Sequence, residues 1–175
     1  PLHRNEILKC TPPFNKLKDD NWRSSFNRDW LNNLNNWNFT ITSVLIDKKK
    51  LLKKYSKPFN PYRFGFALLM ERYLIFLQQN NAKGDIMVES ISKTHDKNLK
   101  KTYSYLYFND MPQFKLSCKE FQQYFTSCEL KMKKKNMCVC GLELSDMLVS
   151  AMKKKILKEY YPDKELKCSF DDNVL

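Results

Sequence analysis

The sequence predicts an α/β domain with a mixed, mostly parallel sheet flanked by helices. Three observations carry this. Apolar residues recur at helical spacing in four long segments. Between these segments lie short β-branched or apolar runs, Phe39 to Ile46 (FTITSVLI) and Asp85 to Glu89 (DIMVE). Strands alternating with helices need βαβ crossovers, and such crossovers pair strands in parallel. Only three glycines are present, which argues against a sandwich of many tight turns.

Residues 1–13 read as an irregular entry, because Thr11-Pro12-Pro13 breaks any helix from upstream. Phe14 to Asn36 is helical, with Phe14, Leu17, Trp22, Phe26, Trp30 and Leu34 three to five residues apart. Phe39 to Ile46 then forms a strand buried on parts of both faces and ending at Asp47-Lys48. Lys48 to Tyr55 makes a helical turn. Pro58 and Pro61 punctuate the chain, and Asn60-Pro61 suits a helix start. Pro61 to Asn80 is the clearest helix, with Tyr62, Phe66, Leu69, Tyr73, Phe76 and Leu77 as its apolar face. Asp85 to Glu89 is a second short strand. A helix over Ser92 to Tyr107 follows, with Ser92 or Thr94 as N-cap. Phe114 to Ser127 is ambiguous. Glu129 to Lys135 alternates like an edge strand. Cys140 to Leu157 is the last helix, with Leu144, Met147, Leu148, Ala151 and Met152 inward, and the tail from Tyr160 is polar.

The length of 175 residues favours one domain, and 42% apolar content suffices for a core. No apolar run approaches the roughly 18 residues of a membrane span. With no apolar signal region at the N-terminus, the expected location is the cytoplasm. The start at Pro1, without Met, reads as a fragment or a processed end. The six cysteines are scattered and read as reduced thiols; Cys138-Val139-Cys140 lacks the spacing of a zinc knuckle. Net charge is +12, which points toward a polyanion such as nucleic acid. The 26 lysines against five arginines weaken that inference, because the planar Arg fork is the better phosphate reader. Sixteen asparagines beside so many lysines also suggest an AT-rich genome. There is no phosphate-binding loop and no serine nucleophile elbow.

Three acidic residues could carry chemistry. Asp47 and Glu89 each end an expected strand, where ligand sites gather in parallel sheets. Asp146 lies on the last helix. Converging carboxylates bind Mg²⁺ or Mn²⁺ through hard oxygen ligands. Two such ions, about 4 Å apart, can activate water and stabilise the leaving oxygen of a phosphodiester. The plainer alternatives are a turn or cap for Asp47, a helix-dipole partner for Glu89 and a solvated face for Asp146. His95, with Asp96, is a candidate base or substrate contact, or else a solvated helix start. Lys48 and His3 are further candidate substrate contacts at the same rim.

The chain resembles a bacterial and phage family known as domain of unknown function 3800. The resemblance is carried by Leu2-His3-Arg4-Asn5-Glu6-Ile7, Leu45-Ile46-Asp47-Lys48, Pro58-Phe59-Asn60-Pro61-Tyr62, Val88-Glu89-Ser90 and Gly141-Leu142-Glu143-Leu144-Ser145-Asp146-Met147. These span residue 2 to about 157 in the family's order. The family prefers Gln at 143 and Ala at 145. The resemblance implies a ribonuclease-H-like fold and a Mg²⁺- or Mn²⁺-dependent nuclease. Glu89 and Asp146 would be its metal ligands, with Asp47 beside them. Family members begin with an Asp-Glu-Ser-Gly strand and a hairpin, which residues 1–46 lack. A truncated, inactive form is one consequence. The alternative function is a non-catalytic module for nucleic acid or protein, including a homodimer through an open sheet edge.

Overall fold

A computed structural model describes residues 2–56, 60–110 and 117–163. The expectations for Pro58, for the start of the Phe114 segment, for Cys168 and for most of the tail fall outside them. Seven α-helices are described: α1 (Arg4–Lys9), α2 (Asp20–Asn36), α3 (Lys48–Lys54), α4 (Pro61–Gln79), α5 (Lys93–Phe108), α6 (Cys118–Tyr124) and α7 (Cys140–Tyr160). The described strands are β1 (Met87–Glu89) and β2 (Lys131–Lys133), and short 3₁₀ turns occupy Asn15–Lys18 and Lys135–Met137.

The expected ribonuclease-H-like α/β fold is therefore corrected. The described chain is mostly helical, and its sheet has only the two parallel strands β1 and β2. Their register pairs Met87 with Lys131, Val88 with Met132 and Glu89 with Lys133. The expectation fails at Phe39 to Ile46, which forms no strand. A β-branched run becomes a strand only when a neighbour takes its backbone hydrogen bonds. Here its side chains serve other packing instead. Phe39 and Ile41 pack against one core. Ile46 Cδ1 lies 3.2 Å from the position a Cβ on Gly65 would take. The strand edge on which homodimer pairing was expected is thus not formed by these residues.

The chain divides into two compact units. One comprises residues up to Ile41 and from Asn136 onwards. Its core joins Ile7, Cys10, Leu17, Trp30, Met147, Leu148 and Ala151. The N-terminal segment, expected to be irregular, forms α1 within it. A six-residue helix is unstable alone, so packing of buried Ile7 sustains it.

The other unit is Thr42–Lys135. The helix α4 buries Phe66, Ala67, Met70, Leu74 and Leu77. This face is rotated from the expected one, because α4 is apolar nearly all round and the pattern alone cannot choose a side. Tyr62 and Phe76 lie exposed. On α5, Thr102, Tyr103 and Leu106 are buried, and α6 adds Phe121. Phe121 and Phe125 stack at 4.1 Å between centroids, and Tyr103 meets Phe121 edge-on at 5.7 Å. The Tyr103 hydroxyl donates to the Ser127 carbonyl at 2.6 Å, and burial pushes its pKa above the usual tyrosine value. Phe114 to Ser127, ambiguous in its sequence pattern, contains α6. It opens with a capping box, in which Ser117 and Glu120 each satisfy the other's backbone N–H.

Candidate functional site

Each candidate carboxylate is engaged by another group of the chain. Asp47 ends no strand; it is the N-cap of α3, and its Oδ1 accepts from the N–H groups of Lys49 at 3.0 Å and Lys50 at 3.1 Å. Asp47 is thus a helix cap, the plainer of the two roles open to it in the sequence. Glu89 does end β1. It is half-buried, and Lys135 Nζ lies 4.0 Å from its Oε1. Asp146 on α7 is half-buried, and its Oδ2 accepts from the Arg4 N–H at 3.3 Å. One turn earlier, Glu143 Oε2 accepts from the Leu2 N–H at 3.0 Å. Acidic side chains three residues apart share one helix face, so this pair holds the approach to α1. His3, between those two amides, is the N-cap residue of α1, with Nδ1 buried and unpartnered.

Glu89 belongs to the Thr42–Lys135 unit and Asp146 to the other. Among the described residues no group of three or more His, Cys, Asp or Glu side chains is placed to hold a metal ion. The described cysteines are free thiols, with Cys138 and Cys140 exposed. No described helix is long and apolar enough to cross a membrane.

The structure does bring two other expected residues together, around a third that sequence reasoning assigned to the core. Lys48 Nζ lies 5.5 Å from the ring centroid of Tyr62, and the imidazole of His95 meets the same ring edge-on at 6.4 Å. Three capped helix starts place them. Asp47 caps α3, which begins at Lys48. Asn60 Oδ1 accepts from Tyr62 and Arg63 and sets the first turn of α4. Ser92 caps α5, and its Oγ lies 2.8 Å from His95 Nδ1. Tyr62 is 68% exposed, so its ring is available to a flat partner while a cation flanks it. The sequence held a signal for this: Asn60-Pro61 fixes Tyr62 in the first turn, ahead of the core stripe that begins at Phe66.

A second basic and aromatic surface lies on the outer side of α5. Lys93, Lys97, Lys100, Lys101, Ser104 and Phe108 are exposed and recur at helical spacing. A shallow cleft of about 440 Å³ is lined by Lys100, Lys101, Ser104, Tyr105, Phe108 and Asn109. Phe108 is 58% exposed. Bulky apolar side chains interleaved with lysines suit a stacking partner that carries negative charge. No family model, curated protein or solved structure matches the chain.

Proposed function

We propose that this chain is a non-catalytic module that binds single-stranded nucleic acid through the Thr42–Lys135 unit. The observation that supports it best is the exposed ring of Tyr62 flanked by Lys48 and His95. Exposed bases stack on such rings, and lysines neutralise the adjoining phosphates. The lysine and aromatic side of α5 offers a second contact of the same chemistry. The net charge of +12 adds long-range attraction. Lysine acts here as a point charge without the bidentate fork of arginine, so the binding tolerates any sequence.

Fluorescence anisotropy with a labelled single-stranded oligonucleotide, across a range of salt, tests this reading. Tight binding at low salt should weaken as salt rises, with a log–log slope near −0.7 for each phosphate contact. Tyr62→Ala should weaken binding by roughly 5- to 150-fold, the equivalent of about 1–3 kcal/mol for one stacked base. Joint replacement of Lys100 and Lys101 by Ala should flatten the salt slope. Glu89→Gln should bind as the parent does. Absent or salt-independent binding would end the proposal. Mn²⁺-dependent cleavage that is lost in Glu89→Gln would overturn it in favour of the nuclease implied by the resemblance.

A further inference from the structure

Arg63 stands in the first turn of α4 beside Tyr62, and the Asn60 side chain accepts from the backbone N–H of both. Both side chains reach toward α5. Tyr62 meets His95, whereas the Arg63 Nε donates to Thr102 Oγ1 at 3.0 Å. His95 and Thr102 lie seven residues apart, which is two turns and about 10 Å along one face of α5. Thr102 is 6% exposed, a polar side chain buried beside Tyr103 and Leu106. Its hydroxyl donates to the Asn98 carbonyl at 2.9 Å, which leaves a lone pair to hold the guanidinium. That bond fixes the Arg63 head without neutralising it. Among the described residues no carboxylate forms an ion pair with Arg63, and the residue is exposed. With Nε spent on Thr102, the N–H groups of the two Nη atoms remain as an anchored fork whose charge is uncompensated.

We infer that Arg63 is the phosphate-reading residue of the Tyr62 site and that Thr102 positions it; the inference rests on the single-stranded nucleic-acid reading above. One base stacks on Tyr62, and a phosphate of the same stretch takes the Arg63 fork through two of its oxygens. Lys48 and His95 flank the ring and act beside it. The fork adds a directional contact to the point charges of the lysines. It holds a phosphate at a set distance from the stacked base, so the unit recognised is a nucleotide with its phosphate and not a base alone. A phosphate contact of this kind fixes register and carries no sequence information, in keeping with sequence-tolerant binding. The buried hydroxyl on α5 then has a reason: valine has the same branching but no oxygen to hold the guanidinium.

Anisotropy of the full chain with the labelled oligonucleotide, beside thermal unfolding of each variant, tests the assignment. Arg63→Ala should weaken binding by about 10- to 100-fold and reduce the steepness of the salt slope by about 0.7, the share of one phosphate contact. Arg63→Lys keeps the charge and therefore the slope, but it loses the fork, so its affinity should stay well below that of the parent. Thr102→Val should weaken binding by about threefold or more with the slope unchanged, and Thr102→Ser should restore it. In the Arg63→Ala background Thr102→Val should add nothing, as expected of two residues that act through one contact. Parent-like binding in a folded Arg63→Ala variant, full affinity in Arg63→Lys, or a Thr102→Val effect that is absent or independent of Arg63 would each overturn the inference while the nucleic-acid reading stands. A parent chain that fails to bind the oligonucleotide would remove both.

Discussion

The carboxyl of Asp47 accepts two backbone N–H groups at the start of α3, and that geometry makes a prediction a metal ligand would not share. Asn caps a helix about as well as Asp, whereas Ala loses both hydrogen bonds. Asp47→Ala should lower stability by about 0.5–2 kcal/mol, and Asp47→Asn should stay near the parent. Urea unfolding of both variants decides it; an equal loss in both would show that the charge, not the cap, matters. Glu89 differs in kind. Its contact with Lys135 is long and both side chains are about a third exposed, so the pair adds little to stability. The short strand ending at Glu89 was legible from its apolar run and terminal acid. The partner of Asp146 was not: Arg4 lies 142 residues away, and no local pattern reports such a contact.

Between elements, a close approach lies where the connection from α4 enters β1. The Gly84 N–H donates to the Tyr124 carbonyl, and its carbonyl accepts from the Thr126 N–H, both at 2.9 Å. The backbone is thus held on both sides. A Cβ at Gly84 would collide with the Tyr73 hydroxyl and come within 3.0 Å of Leu77 Cδ2. Gly84→Ala should destabilise by about 1–3 kcal/mol, as overpacking does, with the shift read from thermal unfolding. A neutral result would mean that Tyr73 swings aside freely. Most helices were legible because their signals are local: Asn60-Pro61 before α4, Ser92 before α5, and apolar spacing within each. The buried side of α4 was not, since Phe66, Met70 and Leu74 compete with equally apolar neighbours, and only contacts from α5 and α6 select among them.

At the scale of the whole molecule, ionisation sets the range of stability. The hydrogen bond from Lys131 holds Asp85 below the usual carboxylate range. The Ser117 N–H and hydroxyl do the same for Glu120, and the Ser90 hydroxyl for Asp96. These groups favour the folded state when ionised. Their contribution is present above the unfolded values of about 4 and is lost as pH falls through the lower folded values. Tyr103 acts oppositely, because burial favours its neutral form. Its contribution is present below about pH 10 and is lost as pH rises beyond that value. The urea midpoint measured against pH should form a plateau between these limits. A midpoint unchanged from pH 5 to pH 3 would refute the acid limb.

By itself the sequence determined the starts of α4 and α5, the periodic helices and the charge, because caps and apolar spacing act within a few residues of their cause. Tertiary structure alone decided that Phe39 to Ile46 is no strand. A strand needs hydrogen-bonding partners distant in sequence, and β-branched composition cannot supply them. The same long-range packing moved Tyr62 out of the core and set it beside Lys48 and His95. It also crossed Trp30 with Trp37 beside Glu143. The site at Tyr62 joins side chains from three helices, and the distance between such side chains is a property of the folded chain.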